Sequence, residues 1–187
     1  MAFTLPEMMI ALTVFVILTL GVISANIFGL KMFQIATVKL AATAGVRKAM
    51  GRMTDEIRVG KSTLVGSVSN GVFAAHINGE QQSGTGIIIY PTASSTAYTL
   101  YFVNPADLSF RRTVVSGVGA SNTVTTVLAS QITNAVVFSA QDYLGNILTN
   151  SQKNQVIHVR LDVFRTKSFG TIADHFLLET SITPRAQ

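Results

Sequence analysis

The run Met8–Leu30 contains no charged residue, and no other feature constrains the fold of this chain so strongly. At ~1.5 Å rise per residue it forms roughly 35 Å of helix, enough to cross a bilayer core of about 30 Å. Phe3-Thr4-Leu5-Pro6-Glu7 leads into it, so a single acid stands at the edge of an otherwise apolar span. A carboxylate in that position is costly unless something positive meets it, which makes Glu7 a functional candidate. The plainer alternative is an ordinary signal anchor whose Glu7 sits among lipid headgroups.

The segment Phe3-Thr4-Leu5-Pro6-Glu7-Met8-Met9-Ile10-Ala11-Leu12 resembles the cleavage and methylation segment of type IV pilin-like proteins, the major and minor pilins and the pseudopilins of type II secretion. The resemblance implies cleavage by a prepilin peptidase between Ala2 and Phe3, N-methylation of Phe3, and pairing of Glu7 with the N-terminus of a neighbouring subunit. On this reading Met1-Ala2 is a residual leader, and Ala2 keeps the small size of the glycine usual before the cut. A buried carboxylate and a buried ammonium each carry several kcal/mol of desolvation cost, which pairing offsets in part. Such a pair adds little stability but fixes the axial register between packed helices, as a polar core residue does in a coiled coil. Lys31, Lys39, Arg47 and Lys48 follow the span, and the positive-inside rule would put that side in the cytoplasm. The resemblance implies the opposite orientation, with the head outside the cytoplasm.

Charge is distributed unevenly. Lys31, Lys39, Arg47, Lys48, Arg52, Arg58 and Lys61 face only Asp55 and Glu56 in that stretch, an excess that equals the whole net charge of +5. A basic stem beside a membrane binds anionic headgroups or complements acids on neighbouring subunits. Nucleic-acid binding by the head would need a basic face there, and none is visible in the sequence, so nucleic acid is not an expected partner. The absence of cysteine removes disulfides, thiolate catalysis and cysteine metal sites together.

The stretch from about Pro6 to Gly60 reads as one long helix. Pro6 sits in its first turn, where a missing N–H costs little, and no other proline occurs before Pro91. Gly21, Gly29, Gly45 and Gly51 are weak points, and Ser24-Ala25-Asn26 is a place where the helix could loosen. Val46, Met50, Met53 and Ile57 recur at helical spacing and form an apolar stripe expected to pack on a sheet. About 55 helical residues extend roughly 80 Å, which an anchor plus a domain-spanning stem explains. The division is then residues 1–2 leader, 3–30 transmembrane and assembly helix, 31–61 amphipathic stem, and 62–187 β-rich head.

Beyond Lys61 the apolar period becomes alternating. Strands are expected near Thr63–Val68, Val72–Ile77, Gly86–Tyr90, Ala97–Val103, Leu108–Val115, Thr123–Ala129, Ala135–Ser139, Val156–Thr166 and His175–Thr183. In the clearest, Ile157, Val159, Leu161 and Val163 share one face, with His158, Arg160 and Asp162 on the other. Turn clusters at Gly79–Gly84, Asn104–Asp107, Gly117–Asn122 and Gly145–Asn154 separate strands, which indicates a mostly antiparallel sheet. With the stem on one face, the fold class is α+β. The order of the last sixty or so residues, including Asp142-Tyr143-Leu144-Gly145, also resembles the larger minor members of the family, minor pilin W and the J-type pseudopilin.

Nothing in the sequence assembles a catalytic set, so no enzyme, cofactor or metal is expected. His76, His158 and His175 are far apart, and His158 alternates with core residues as a solvated strand histidine would. Gly84-Thr85-Gly86 lacks the Lys-Ser/Thr of a phosphate loop and reads as a turn. Arg111 and Arg112 are adjacent on a strand, point to opposite faces and form no patch. Asp142, Asn146, Asn150 and Asn154 supply one carboxylate among them, too little charge for a calcium loop, and read as a solvated loop. The function implied is a structural subunit of a type IV pilus-like filament, a minor pilin at the tip or initiating end. Its partners would be other pilin subunits, prepilin peptidase, the inner-membrane assembly platform and the bilayer. The alternatives are a type II secretion pseudopilin, and a DNA-uptake or adhesive minor pilin whose head binds ligand.

Overall fold

The computed structural model describes residues 4–69, 71–92, 96–116, 122–150, 155–166 and 173–185. The helix α1 runs without a break over Leu5–Val59. The expected weak points do not interrupt it. At Asn26 the side chain itself donates to the Val22 carbonyl (2.9 Å), and Thr13, Thr19 and Thr37 bond back to carbonyls of the preceding turn in the same way. These bonds satisfy the hydroxyl and amide donors within the helix itself.

The chain divides into two compact units, Met1–Thr43 and Ala44–Gln187. In the first, Leu5–Thr37 is long and apolar enough to cross a membrane. This run passes the expected limit at Leu30 because Lys31 is a lone charge flanked by Met32 and Phe33, and a long lysine stem can carry its ammonium towards the headgroups. Large apolar side chains are exposed along all of it, Leu5, Phe15, Ile17, Phe28 and Phe33 among them.

The second unit combines the last turns of α1 with ten described strands. These are β1 (Ser62–Ser69), β2 (Val72–Ala75), β3 (Ser83–Gly84), β4 (Gly86–Tyr90), β5 (Tyr98–Asn104), β6 (Ser109–Val115), β7 (Thr123–Ala129), β8 (Phe138–Gln141), β9 (Val156–Thr166) and β10 (Ala173–Ile182). Every pairing is antiparallel, and the class is α+β. Where the sequence suggests one sheet there are two: a six-stranded sheet ordered β2-β1-β4-β5-β6-β7 and a four-stranded sheet ordered β10-β9-β8-β3. Gly84-Thr85-Gly86, expected as a turn, is the joint at which the chain leaves the smaller sheet for the larger. Thr85 holds that joint by accepting the Val68 N–H at its hydroxyl (2.8 Å) and the Val103 N–H at its carbonyl (3.1 Å). A Cβ on Gly84 would collide with the Gly66 carbonyl, and one on Gly66 with the Ala74 carbonyl of β2, so neither position admits a side chain.

Both sheets bury one face against the stripe of α1. Val46, Met50, Met53 and Ile57 are buried as the spacing predicts, joined by Ala49. They meet Val65, Ile87, Ile89, Tyr101 and Phe110 from the larger sheet and Phe138, Ile157, Val159 and Leu161 from the smaller. Alternation in β9 is realised in full, with Ile157, Val159, Leu161 and Val163 all at most 1% exposed. A second cluster was not anticipated. Val68, Ile88, Leu100 and Phe102, with Phe73, Tyr90 and Tyr98, form it on the opposite face of the larger sheet, so β4 and β5 are apolar on both sides.

Two strand boundaries move for identifiable reasons. The strand expected at Ala135–Ser139 starts only at Phe138, because the Asn134 side chain takes the place of ladder partners. Its amide donates to the carbonyls of Val136 and Arg160 and its oxygen accepts the Asp162 N–H. The strand expected to reach Ile77 stops at Ala75, since the Ile77 N–H turns to the Glu80 carboxylate (3.2 Å). α1 ends at Val59 because Gly60 packs against β4; a Cβ on Gly60 would lie 2.6 Å from the Ile89 side chain. Met53→Ala is therefore expected to cost about 2–5 kcal/mol in urea unfolding of the detergent-solubilised chain. Val72→Ala, at an exposed position on β2, should stay within about 0.5 kcal/mol of wild type.

Candidate functional site

The helix start carries the expected assembly acid. Ala2 and Phe3, the cleavage pair, lie outside the described residues. Glu7 is in the first turn of α1, and one of its carboxylate oxygens accepts both the backbone N–H of Thr4 (2.9 Å) and its hydroxyl (2.8 Å). The Glu7 and Met8 N–H groups in turn donate to the Thr4 carbonyl. Thr4-Leu5-Pro6-Glu7 is thus an N-capping arrangement, with threonine at the cap and the acid three residues on reaching back. Pro6 fits because its missing N–H falls among the donors a helix start leaves unpaired. This contact was legible in the sequence as the Thr-x-x-Glu spacing but was not drawn from it. Among the described residues, the Glu7 carboxylate is held by its hydrogen bonds to Thr4 and has no cation beside it.

Polar side chains of the second unit gather in three places. The first ties helix to sheet. Glu56 on α1 accepts hydrogen bonds from the Tyr101 hydroxyl (2.9 Å), from Arg112 Nε (3.2 Å) and Nη2 (2.7 Å), and from Arg52 Nε (3.2 Å). The Arg112 guanidinium also lies over the Tyr101 ring, 5.9 Å from its centre. Burial, reinforced by the Glu56 charge, holds the Tyr101 hydroxyl well above the ordinary phenol range, so it stays a donor. Arg111, on the opposite face as its alternation requires, bonds Asp107 and Ser109 instead. Glu56 was read only as one of two acids on a basic stem; its spacing from Tyr101 and Arg112 is too long-range for any local pattern to reveal.

A second group lies on the outer face of the smaller sheet. A shallow cavity of about 330 Å³ is lined in part by Asn134, Ser139, His158, Arg160 and Asp162. Arg160 reaches both Asp162 (3.3 Å) and Glu179 (3.7 Å), while His175 comes within 3.9 Å of Asp162. Pairing of β9 with β10 keeps the two histidines apart, with His158 opposite Ser181 and His175 opposite Phe164. Among the described residues, no three His, Cys, Asp or Glu side chains converge as metal ligands would. His76 sits apart, facing Glu80 at 3.4 Å.

The third is the loop after β8. Asp142 accepts the N–H groups of Leu144 (2.9 Å) and Asn146 (2.8 Å), and the Asn146 side-chain amide (3.0 Å). Gly145 supplies the positive φ of 88° that closes the turn. The loop is a braced turn rather than a set of ligands pointing at one centre; Asn154 falls outside the described residues. At its tip Tyr143 is 88% and Leu144 70% exposed.

Compared with known proteins, the chain matches no family model, no curated protein and no solved structure.

Two outcomes are expected. Glu56→Gln keeps the shape but loses the charge, and should lower stability by about 1–3 kcal/mol. Most of that loss should vanish in a background already carrying Tyr101→Phe and Arg112→Met, as a double-mutant cycle would show. At the tip, the hydrogen bonds from Asn146, its side chain first and then its N–H, hold the Asp142 carboxyl below the usual carboxylate range. The bracing is therefore complete above the ordinary aspartate value near pH ~4 and is lost as pH falls through the lowered one. Protection of the Leu144 and Asn146 amides from hydrogen exchange, measured relative to the intrinsic rate at each pH, should fall only in that acid range.

Proposed function

We propose that this chain is a pilin-like structural subunit that performs no catalysis and joins a filament through α1. The observation that carries the reading is the state of Glu7, an acid in the first turn of an unbroken apolar helix whose charge has no cation beside it among the described residues. Before assembly, Thr4 satisfies the carboxylate with two hydrogen bonds. On assembly, the N-methylated amine of Phe3 on a neighbouring subunit supplies the positive charge, and the apolar side chains of Leu5–Thr37 pack against equivalent helices. Helix packing in lipid has little hydrophobic drive of its own, so one ion pair decides which axial offset is adopted.

The proposed life of the chain follows from this. Prepilin peptidase cuts between Ala2 and Phe3, the assembly platform of the inner membrane draws the anchored subunit into the filament, and the β-rich head lies outside the cytoplasm. The braced tip bearing Tyr143 and Leu144 favours a minor subunit whose head touches something other than its own lattice, since large exposed side chains on a rigid turn are suited to anchoring in a partner's pocket. A secretion pseudopilin uses the same anchor physics. Glu7→Ala should leave thermal unfolding of the head unchanged and remove the chain from sheared filaments. Recovery of the variant in filaments at wild-type levels would contradict the reading.

A further inference from the structure

Charge is left unbalanced on two surfaces of the second unit. On α1, the side turned away from the buried stripe exposes Ala44, Arg47, Lys48 and Gly51. Among the described residues neither Arg47 nor Lys48 forms an ion pair, while Glu56 is taken by Arg52 and Arg112. A Cβ on Gly51 would meet nothing within 4 Å, so the two cations stand on an open helix face with small residues between them. The second surface is the outer face of β9 and β10. Arg160 is shared there between Asp162 (3.3 Å) and Glu179 (3.7 Å), so two acids meet one arginine. Glu179 is exposed, and Asp162 Oδ1 is buried without a hydrogen-bond partner, with His175 Nε2 3.9 Å away. Leu177 lies opposite Asp162 on the same face and is 44% exposed.

The two surfaces lie on opposite sides of the unit and at the same end of it. β9 buries Ile157, Val159 and Leu161 against the α1 stripe, so its alternate residues turn away from the helix. A run of contacts relates their positions along the unit. A Cβ on Gly45 would lie 3.6 Å from the Leu128 carbonyl, and the next residue, Ala129, pairs with Phe110. The Ile132 N–H then donates to the Leu108 carbonyl (2.9 Å), and Ile132 bridges to Val163, beside Asp162.

We infer that the Arg47–Lys48 face of α1 docks on the Asp162–Glu179 face of a second copy of this chain. The cations without partners meet the face that has one acid in excess, so each surface supplies the charge the other lacks. Because the surfaces are on opposite sides of one unit, neighbouring copies are related by a sideways shift, not by a two-fold axis. Every α1 then keeps the same sense, as copies anchored in one bilayer must. The contact uses only the second unit and does not require α1 to be a filament helix.

The chain has no native cysteine, so introduced cysteines report the contact cleanly. Gly51→Cys and Leu177→Cys put a thiol on each face and leave its charges in place. The two full-length variants are mixed in the same liposomes at about pH 8, where histidine is neutral. A short bis-maleimide should join them about tenfold more than it joins Gly51→Cys to Val72→Cys. Glu179→Lys in the Leu177→Cys chain should abolish that excess. Arg47→Glu with Lys48→Glu in the Gly51→Cys chain should then restore it. A yield equal to the Val72→Cys control, or one that the reversed charges neither abolish nor restore, would overturn the inference. Glu7→Ala in both chains should leave the crosslink in place, which separates this contact from assembly through the apolar part of α1; loss of the crosslink would overturn it as a contact of this unit.

Discussion

Burial of Val46, Met50, Met53 and Ile57 is the interaction on which the β-rich unit depends. Neither sheet can cover its own apolar face, and the stripe of α1 is the surface on which both close. Because the strands alternate, each residue that points to the stripe leaves its neighbour pointing away, which is how His158, Arg160 and Asp162 come to line an outer face. The polar bond between Glu56, Tyr101 and Arg112 works within this frame. Partly desolvated charge contributes less than its geometry suggests, but its directionality selects one rotation of α1 against the larger sheet where apolar contact alone would tolerate several.

Over Leu5–Thr37 the same helix is long and apolar enough to cross a membrane. There large apolar side chains are exposed, and Thr13, Thr19, Asn26 and Thr37 turn back onto the helix backbone. A single helical element thus changes its outward chemistry along its length without changing its backbone. That is possible because helical hydrogen bonds are internal and independent of what surrounds them.

The parts of the fold legible in the sequence are those governed by local period. The unbroken helix, the stripe at Val46–Ile57, and the strands Thr123–Ala129 and Val156–Thr166 follow from spacing alone. What stayed hidden depends on contacts between distant segments. Division into two sheets turns on the Gly66–Gly84 approach, and the truncated strand at Phe138 turns on three hydrogen bonds to Asn134. The second apolar cluster was obscured because Gly86–Tyr90 is apolar throughout, so its period says nothing about which face is buried. Of the site residues, Glu7 stood out as the lone acid of an apolar span, whereas Glu56 was indistinguishable from a solvated stem charge.

The proposed role rests on what happens at the start of α1, where Thr4 caps the helix and Glu7 waits for a cation. Intact mass and N-terminal sequencing of the chain co-expressed with a prepilin peptidase would test that most directly. The account predicts a mature chain that begins with N-methylated Phe3. An N-terminus that remains uncut and unmethylated, with a longer upstream leader also tried, would contradict it and leave Leu5–Thr37 as a membrane anchor of the ordinary kind.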